Sequence, residues 1–219
     1  VIITRITSLL ATTFAAGCSL FGIRGGWEQP PYVVIDQVGG NIEVRRYGPR
    51  LVAETIVEGN DESTARNEAF RILAAYIFGD NRTRQEVAMT APVAVEETSA
   101  PIAMTAPVAT TRAGAGRWSM RFFLPSELTL ETAPEPIDPR VRIAEVPGET
   151  VAVLEFNGRG RPAVMAAREV ELESRLAASP WMPAGQPLAL FYDPPWTIPF
   201  FRRNEVAVPV MKSGEEAVP

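Results

Sequence analysis

From Tyr32 onward, apolar and polar positions alternate in short runs. "YVVIDQ" and "IEVRRY" are β-prone and are separated by "VGGN", a combination that predicts a hairpin. In the second run Ile42, Val44 and Arg46 share one face and Glu43, Arg45 and Tyr47 the other, because strand side chains alternate. "GPR" then turns the chain into a further strand at Leu51–Val57. The period changes in "NDESTARNEAFRILAAYIFGDN", where Ala65, Ala69, Leu73 and Ile77 recur every fourth position, flanked by Phe70 and Ala74. That spacing predicts an amphipathic helix of about four turns, capped by Asn60 or Asp61 and ended at Gly79.

A repeat follows: "VAMTAPVAV" from Val87 returns as "IAMTAPVAT" from Ile102. Pro92 and Pro107 cannot donate to a ladder, so two bulged strands joined as a hairpin are expected. "RWSMRFFLP" is a further strand, and a Pro-rich loop runs from Pro125 to Pro139. The second half echoes the first. "VRIAEVPGETVAVLEFNG" predicts a strand pair around Pro147-Gly148, and "RPAVMAAREVELESRLAAS" a helix with Pro162 near its start. "PLALFYD" and "NEVAVPV" supply the last strands, with Pro209 suited to an edge. The pattern predicts an α+β fold, a pseudo-duplicated antiparallel sheet curled toward a barrel with two helices against it. No linker divides the halves, so one domain is counted.

Composition narrows the chemistry. The 219 residues are 46% hydrophobic and 21% charged, in the range of a globular protein. A net charge of −5 argues against a nucleic-acid partner, which would ask for a basic face. The sequence holds no histidine and a single cysteine, Cys18. Cys/His zinc sites, Ser-His-Asp and Cys-His nucleophiles and an intramolecular disulfide are thereby excluded. With no paired-carboxylate spacing and no phosphate-cradling glycine loop, the expectation is a binding protein and not an enzyme.

Residues 1–18 read as a signal peptide. Arg5 precedes the apolar run Ile6–Ala16, and Ala15-Ala16-Gly17 lead into Cys18, which resembles a bacterial lipobox. Lipidation of Cys18 would tether the protein to a membrane without spanning it. Ser19 after the cysteine favours the outer membrane, with the protein in the cell envelope facing the periplasm. Residues 19–31 then form a tether, 32–212 the folded domain and 213–219 a tail.

Four stretches in order carry a family pattern: "IEVRRYGPR", the doubled "AMTAPV", "RFFLPSELTLETAPEPIDPRV" and "YDPPWTIPFFRRNEVAVPV". Together they resemble the SOUL haem-binding family over roughly Tyr32 to Lys212. The resemblance implies a distorted antiparallel β-barrel with two helices, built from a β-α-β-β duplication and shared with bacterial effector-binding domains. It also implies an apolar cleft beside the first helix that takes haem or another flat amphipathic tetrapyrrole. Some members carry histidine in "IEVRHYGP", where this sequence has Arg46, so the haem expected here is not histidine-ligated. Met89, Met104, Met120, Met165, Tyr47 and Tyr192 are of types that can bind iron, but such side chains commonly fill cores. Phe70, Leu73, Ala74 and Ile77 are the candidate apolar wall, and Arg46 the candidate partner for a propionate. The alternative is an effector-type module that binds a small molecule other than haem through a buried carboxylate at Glu43, Glu54 or Glu205. Arginine partners on those glutamates would mark a structural role instead.

Overall fold

The computed structural model describes residues 28–59, 61–97, 116–193 and 196–214. The expected leader with Cys18, the cap candidate Asn60 and the second "AMTAPV" copy with Met104 lie outside the described residues. The strands are β1 (Tyr32–Val38), β2 (Ile42–Tyr47), β3 (Arg50–Glu58), β4 (Val93–Glu97), β5 (Arg117–Phe123), β6 (Arg142–Val146), β7 (Glu149–Asn157), β8 (Trp181–Pro183), β9 (Leu188–Phe191) and β10 (Arg203–Lys212). Helix α1 covers Glu62–Ile77, helix α2 covers Pro162–Leu176, and a 3-10 turn occupies Pro199–Phe201.

These elements form two compact units, one from residues up to Tyr47 together with Thr150 onward, the other from Gly48–Glu149. In the first unit the strand order is β1-β2-β7-β10-β9, with β8 also on β10. In the second it is β4-β5-β3-β6. The β1–β2 hairpin forms as the sequence suggests, Val38 opposite Ile42 and Tyr32 opposite Tyr47. The expected pair around Pro147-Gly148 does not. β6 spends its hydrogen bonds on β3, while β7 runs antiparallel to β10. Each unit is therefore helix over antiparallel strands, but the duplication is not laid out as two successive halves of the chain.

In the first unit Ile42 and Val44 of β2, Ala152, Leu154 and Phe156 of β7, and Val206, Val208 and Val210 of β10 point to one side of the sheet. Met165, Leu172 and Leu176 of α2 meet them there. Alternation on the strands and helical spacing on α2 bring these side chains into one core. Pro162 sits in the first turn of α2, where its missing N–H costs nothing. Pro209 is not on an edge strand, since β10 lies between β7 and β9. Its carbonyl faces the β8–β9 side, accepting from Ala184 N at 2.7 Å, and there the β9 register ends at Ala207 and that of β8 begins at Val210. The missing donor falls in that gap, which is how a central strand tolerates proline.

In the second unit α1 lies over β3 and β5. Asp61 is its cap, accepting from Thr64 N at 2.7 Å, and Gly79 beyond its end has φ +103°. Ala65, Ala69, Ile72, Leu73, Tyr76 and Ile77 are its buried residues. Tyr76 OH donates to Pro134 O at 2.9 Å, and burial pushes its phenol up to about 12. β4 begins only at Val93, after Pro92, so the extended run expected from Val87 is shortened. β8, three residues long, is too short to show an alternation in the sequence.

Candidate functional site

Helix α1 has two apolar rows, and they have different fates. Leu73 is 0% exposed and Ile77 is buried beside it, so these two wall candidates belong to the core. Phe70 is 41% exposed, its ring edge-on to Phe122 of β5 at 5.5 Å. Ala74 is half-buried, and Phe78 at the helix end is 67% exposed. Phe70, Ala74 and Phe78 stand four residues apart and so form a row along one side of the helix. The small Ala74 leaves a low step between two phenyl rings, and exposed Arg71 lies next to the row, its Nε 3.4 Å from Asn67 O. Phe78 and Arg71 were not singled out from the sequence, although the same four-residue spacing points to Phe78. Arg46 is exposed on β2 opposite Val33, in the other unit.

Its neighbour Arg45 is buried. The β2 alternation places Arg45 opposite the core side chains Ile42 and Val44, on the sheet face away from α2, where Glu205 of β10 is 0% exposed. Arg45 Nη1 donates to both Glu205 oxygens at 3.0 and 3.1 Å, and its Nε donates to Glu43 at 2.7 Å. Arg203 donates to Glu205 from a second side and pairs with Glu155 at 3.0 Å. Tyr192 OH adds a bond to Glu205 of 2.6 Å. Arg45 stacks 4.4 Å over Tyr32 and Arg203 4.2 Å over Tyr192. Burial alone would lower both guanidinium groups, but Glu205, joined by Tyr47 and Glu43 at Arg45 and by Tyr192 and Glu155 at Arg203, more than offsets it and holds both above their ordinary range. Burial and then the Glu205 charge push the Tyr192 phenol up, keeping it a hydrogen-bond donor.

The second unit has its own charged face away from its helix. Glu54 of β3, buried, accepts from Arg121 Nε at 2.7 Å, Ser119 Oγ at 3.2 Å and the guanidinium of Arg142. Arg121 also reaches Glu96 of β4 at 2.7 Å, so one ladder crosses β4, β5, β3 and β6. Glu43, Glu54 and Glu205 thus all carry arginine partners, the arrangement set out above for a structural role. Buried Met120, Met165, Tyr47 and Tyr192 are core side chains, not exposed iron ligands. Among the described residues no group of three or more His, Cys, Asp or Glu could hold a metal ion.

The ladder has a pH signature of two opposite signs. Burial would raise the Glu54 carboxyl, but Arg142 and Arg121 outweigh it and hold it below its ordinary 4.5. Burial pushes Glu96 up, and Arg121 offsets this only in part. A lowered acid contributes stability above its unfolded value that is lost as pH falls through the folded one; a raised acid contributes below its unfolded value and loses it as pH rises. Urea melts from neutral pH to below 4.5 should therefore show the wild-type advantage over Glu54→Gln shrinking with acid, and that over Glu96→Gln growing. Two variants running parallel to wild type across that range would disprove the assignment.

Antiparallel strands with one helix over each unit define an α+β protein. About 78% of the chain aligns with 97% of the EcmrR C-terminal domain at TM-score 0.58 and 9% identity. The same share aligns with 92% of a hydrolase from Listeria innocua at TM-score 0.52 and 12% identity. At such identities the likeness is one of fold alone. The chain belongs to the SOUL heme-binding protein family, whose model matches residues 27–209. Heme-binding protein 2 of Homo sapiens is 30% identical over 138 residues, which cover 61% of this chain and 59% of the human protein. The chain spans about three-fifths of the length of the curated relatives it matches.

Proposed function

We propose that the protein binds haem or a related tetrapyrrole on the apolar row of α1, without histidine ligation, as a carrier or buffer tethered to a membrane through lipidated Cys18. Family membership supports the ligand class, and the row Phe70-Ala74-Phe78 is the observation that carries the position. A porphyrin offers two large apolar faces, and covering them supplies most of the affinity at roughly 25 cal/mol per Å² before ordering costs. Two phenyl rings on either side of an alanine give such a face something flat to lie on. Arg71 beside the row is a fit partner for a propionate, because guanidinium and carboxylate pair bidentately. Asn67, Phe70, Arg71, Ala74 and Phe78 include no iron ligand, and the sequence has no histidine to supply one. Bound haem would bring an iron that the exposed row leaves to water or to an exogenous ligand.

Titration of the purified chain with hemin tests this. The expected result is a saturable Soret change of weak-field or five-coordinate character. Phe70→Ala/Phe78→Ala should weaken binding about tenfold or more, since each phenyl buried against a ring is worth on the order of 1.5 kcal/mol. A flat titration into the high micromolar range would refute binding. An undiminished affinity in the double variant would remove α1 from the site.

A further inference from the structure

We propose that one edge of the first unit, formed by Trp196, Phe200, Arg159, Arg161 and Arg202, docks on an anionic lipid surface. Two large aromatic side chains of this edge stand in solvent, Trp196 64% and Phe200 65% exposed. The loop that carries them is tied down. Thr197 is buried and its carbonyl accepts from Arg202 Nε at 2.7 Å. Phe201 N donates to Ile198 O at 2.9 Å, and the Phe200 and Phe201 rings lie 4.3 Å apart. Asp193 accepts from Arg203 N at 2.7 Å. The largest apolar side chains are thus held outward by a built turn.

A second loop is stitched to this one. Gly158 N donates to Arg202 O at 3.1 Å, and Asn204 Nδ2 donates to Gly158 O at 2.9 Å. A Cβ on Gly160 would lie 2.5 Å from the Phe191 ring, so only glycine lets the loop approach that closely. Arg159 and Arg161 are exposed on it. Neither "NGRGR" nor "WTIPFFRR" contains an acid, in a chain whose net charge is −5. Of the acids nearby, Glu155 is paired with Arg203 and Asp193 holds the Arg203 backbone.

Aromatic side chains ringed by arginine match the boundary of an anionic bilayer, where indole and phenyl settle among headgroups and guanidinium groups reach phosphates. The acidic remainder of the protein would be repelled by the same surface, so contact is confined to this edge and fixes the orientation. Among the described residues no helix is long and apolar enough to cross a membrane.

Co-sedimentation of the full chain carrying Cys18→Ser, which leaves no acylation site there, with phosphatidylglycerol-containing and pure phosphatidylcholine vesicles tests the proposal. Binding to the anionic vesicles should be stronger by about tenfold and fall with salt. Trp196→Ser/Phe200→Ser and Arg159→Gln/Arg161→Gln should each lose about tenfold of it with unchanged thermal melts, because exposed side chains contribute little to folding and glutamine adds no helix cap at position 161. Three results would overturn the proposal. One is equal binding by wild type and both variants, which would assign it to residues elsewhere. The others are no vesicle binding at all, and a wild-type dimer or a bound single-stranded oligonucleotide lost in Trp196→Ser/Phe200→Ser.

Discussion

Glu205→Ala is expected to lower the thermal midpoint by about 10 °C or more, the effect of losing about 3–5 kcal/mol in a domain of this size. The reason is asymmetry. With Glu205 in place, its carboxylate accepts from Arg45, Arg203 and Tyr192, and every charge in the cluster is answered. Without it, Arg45 stays buried with Glu43 as the acid left beside it, and the buried Tyr192 hydroxyl loses its acceptor. Arg203→Met should cost less, because Glu205 keeps Arg45 and Tyr192 while Arg203 also faces Glu155 nearer the surface. Glu205→Gln should fall between the two, keeping an acceptor oxygen but taking from Arg45 and Arg203 the buried carboxylate they share, so that Glu43 and Glu155 are the acids left to them. Differential scanning calorimetry of the three variants checks the order. A Glu205→Ala midpoint equal to that of wild type would mean that the cluster has no part in holding β2 to β10.

Local pattern sufficed for most elements, and the reason lies in the chain itself. Alternation in "IEVRRY" and "NEVAVPV", the Asp61 cap and Gly79 stop, and Pro162 at the start of α2 are signals carried by a few adjacent residues. The β1–β2 hairpin needed only "VGGN". Pairing between distant strands was not legible, because nothing in "VRIAEVPGETVAV" says whether β6 turns back on β7 or joins β3. Both registers satisfy the same alternation, and the choice is made by partners about a hundred residues away in sequence. Pro209 was misplaced for the same reason, since the gap between β8 and β9 that accommodates it is a property of three strands together.

The charged residues show the limit more sharply. Arg45 and Arg46 are adjacent and identical in type, and only the sheet decides that the first is buried on Glu205 and the second exposed. The family resemblance drew attention to position 46, where some members have histidine. The residue that organises the first unit is the one before it. The exposed edge at Trp196 and Phe200 was likewise hidden by a sound rule. Aromatic residues near a strand end usually fill the core, and here a 3-10 turn holds them out.

Helix α1 offers the decisive contrast, because sequence spacing could not separate its two apolar rows. Leu73→Ala is expected to cost about 3 kcal/mol of stability, a fully buried leucine replaced by a cavity between α1 and the β3–β5 sheet. Phe70→Ala should cost about 1 kcal/mol or less, since its ring is partly in water and gives up mainly the edge contact with Phe122. For hemin the order should reverse: folded Leu73→Ala keeps wild-type affinity within about twofold, while Phe70→Ala loses several-fold or more. Denaturant melts give the first order and Soret titrations well below each midpoint give the second, so a folding defect cannot pass for a binding one. Weakened hemin binding by a fully folded Leu73→Ala, with Phe70→Ala unaffected, would move the ligand from the exposed row of α1 into the space beneath the helix. Matching losses in both variants would instead require a site that opens the packing of α1 against its sheet, and the protection of Leu73 and Ile77 amides from hydrogen exchange would then fall when hemin is added.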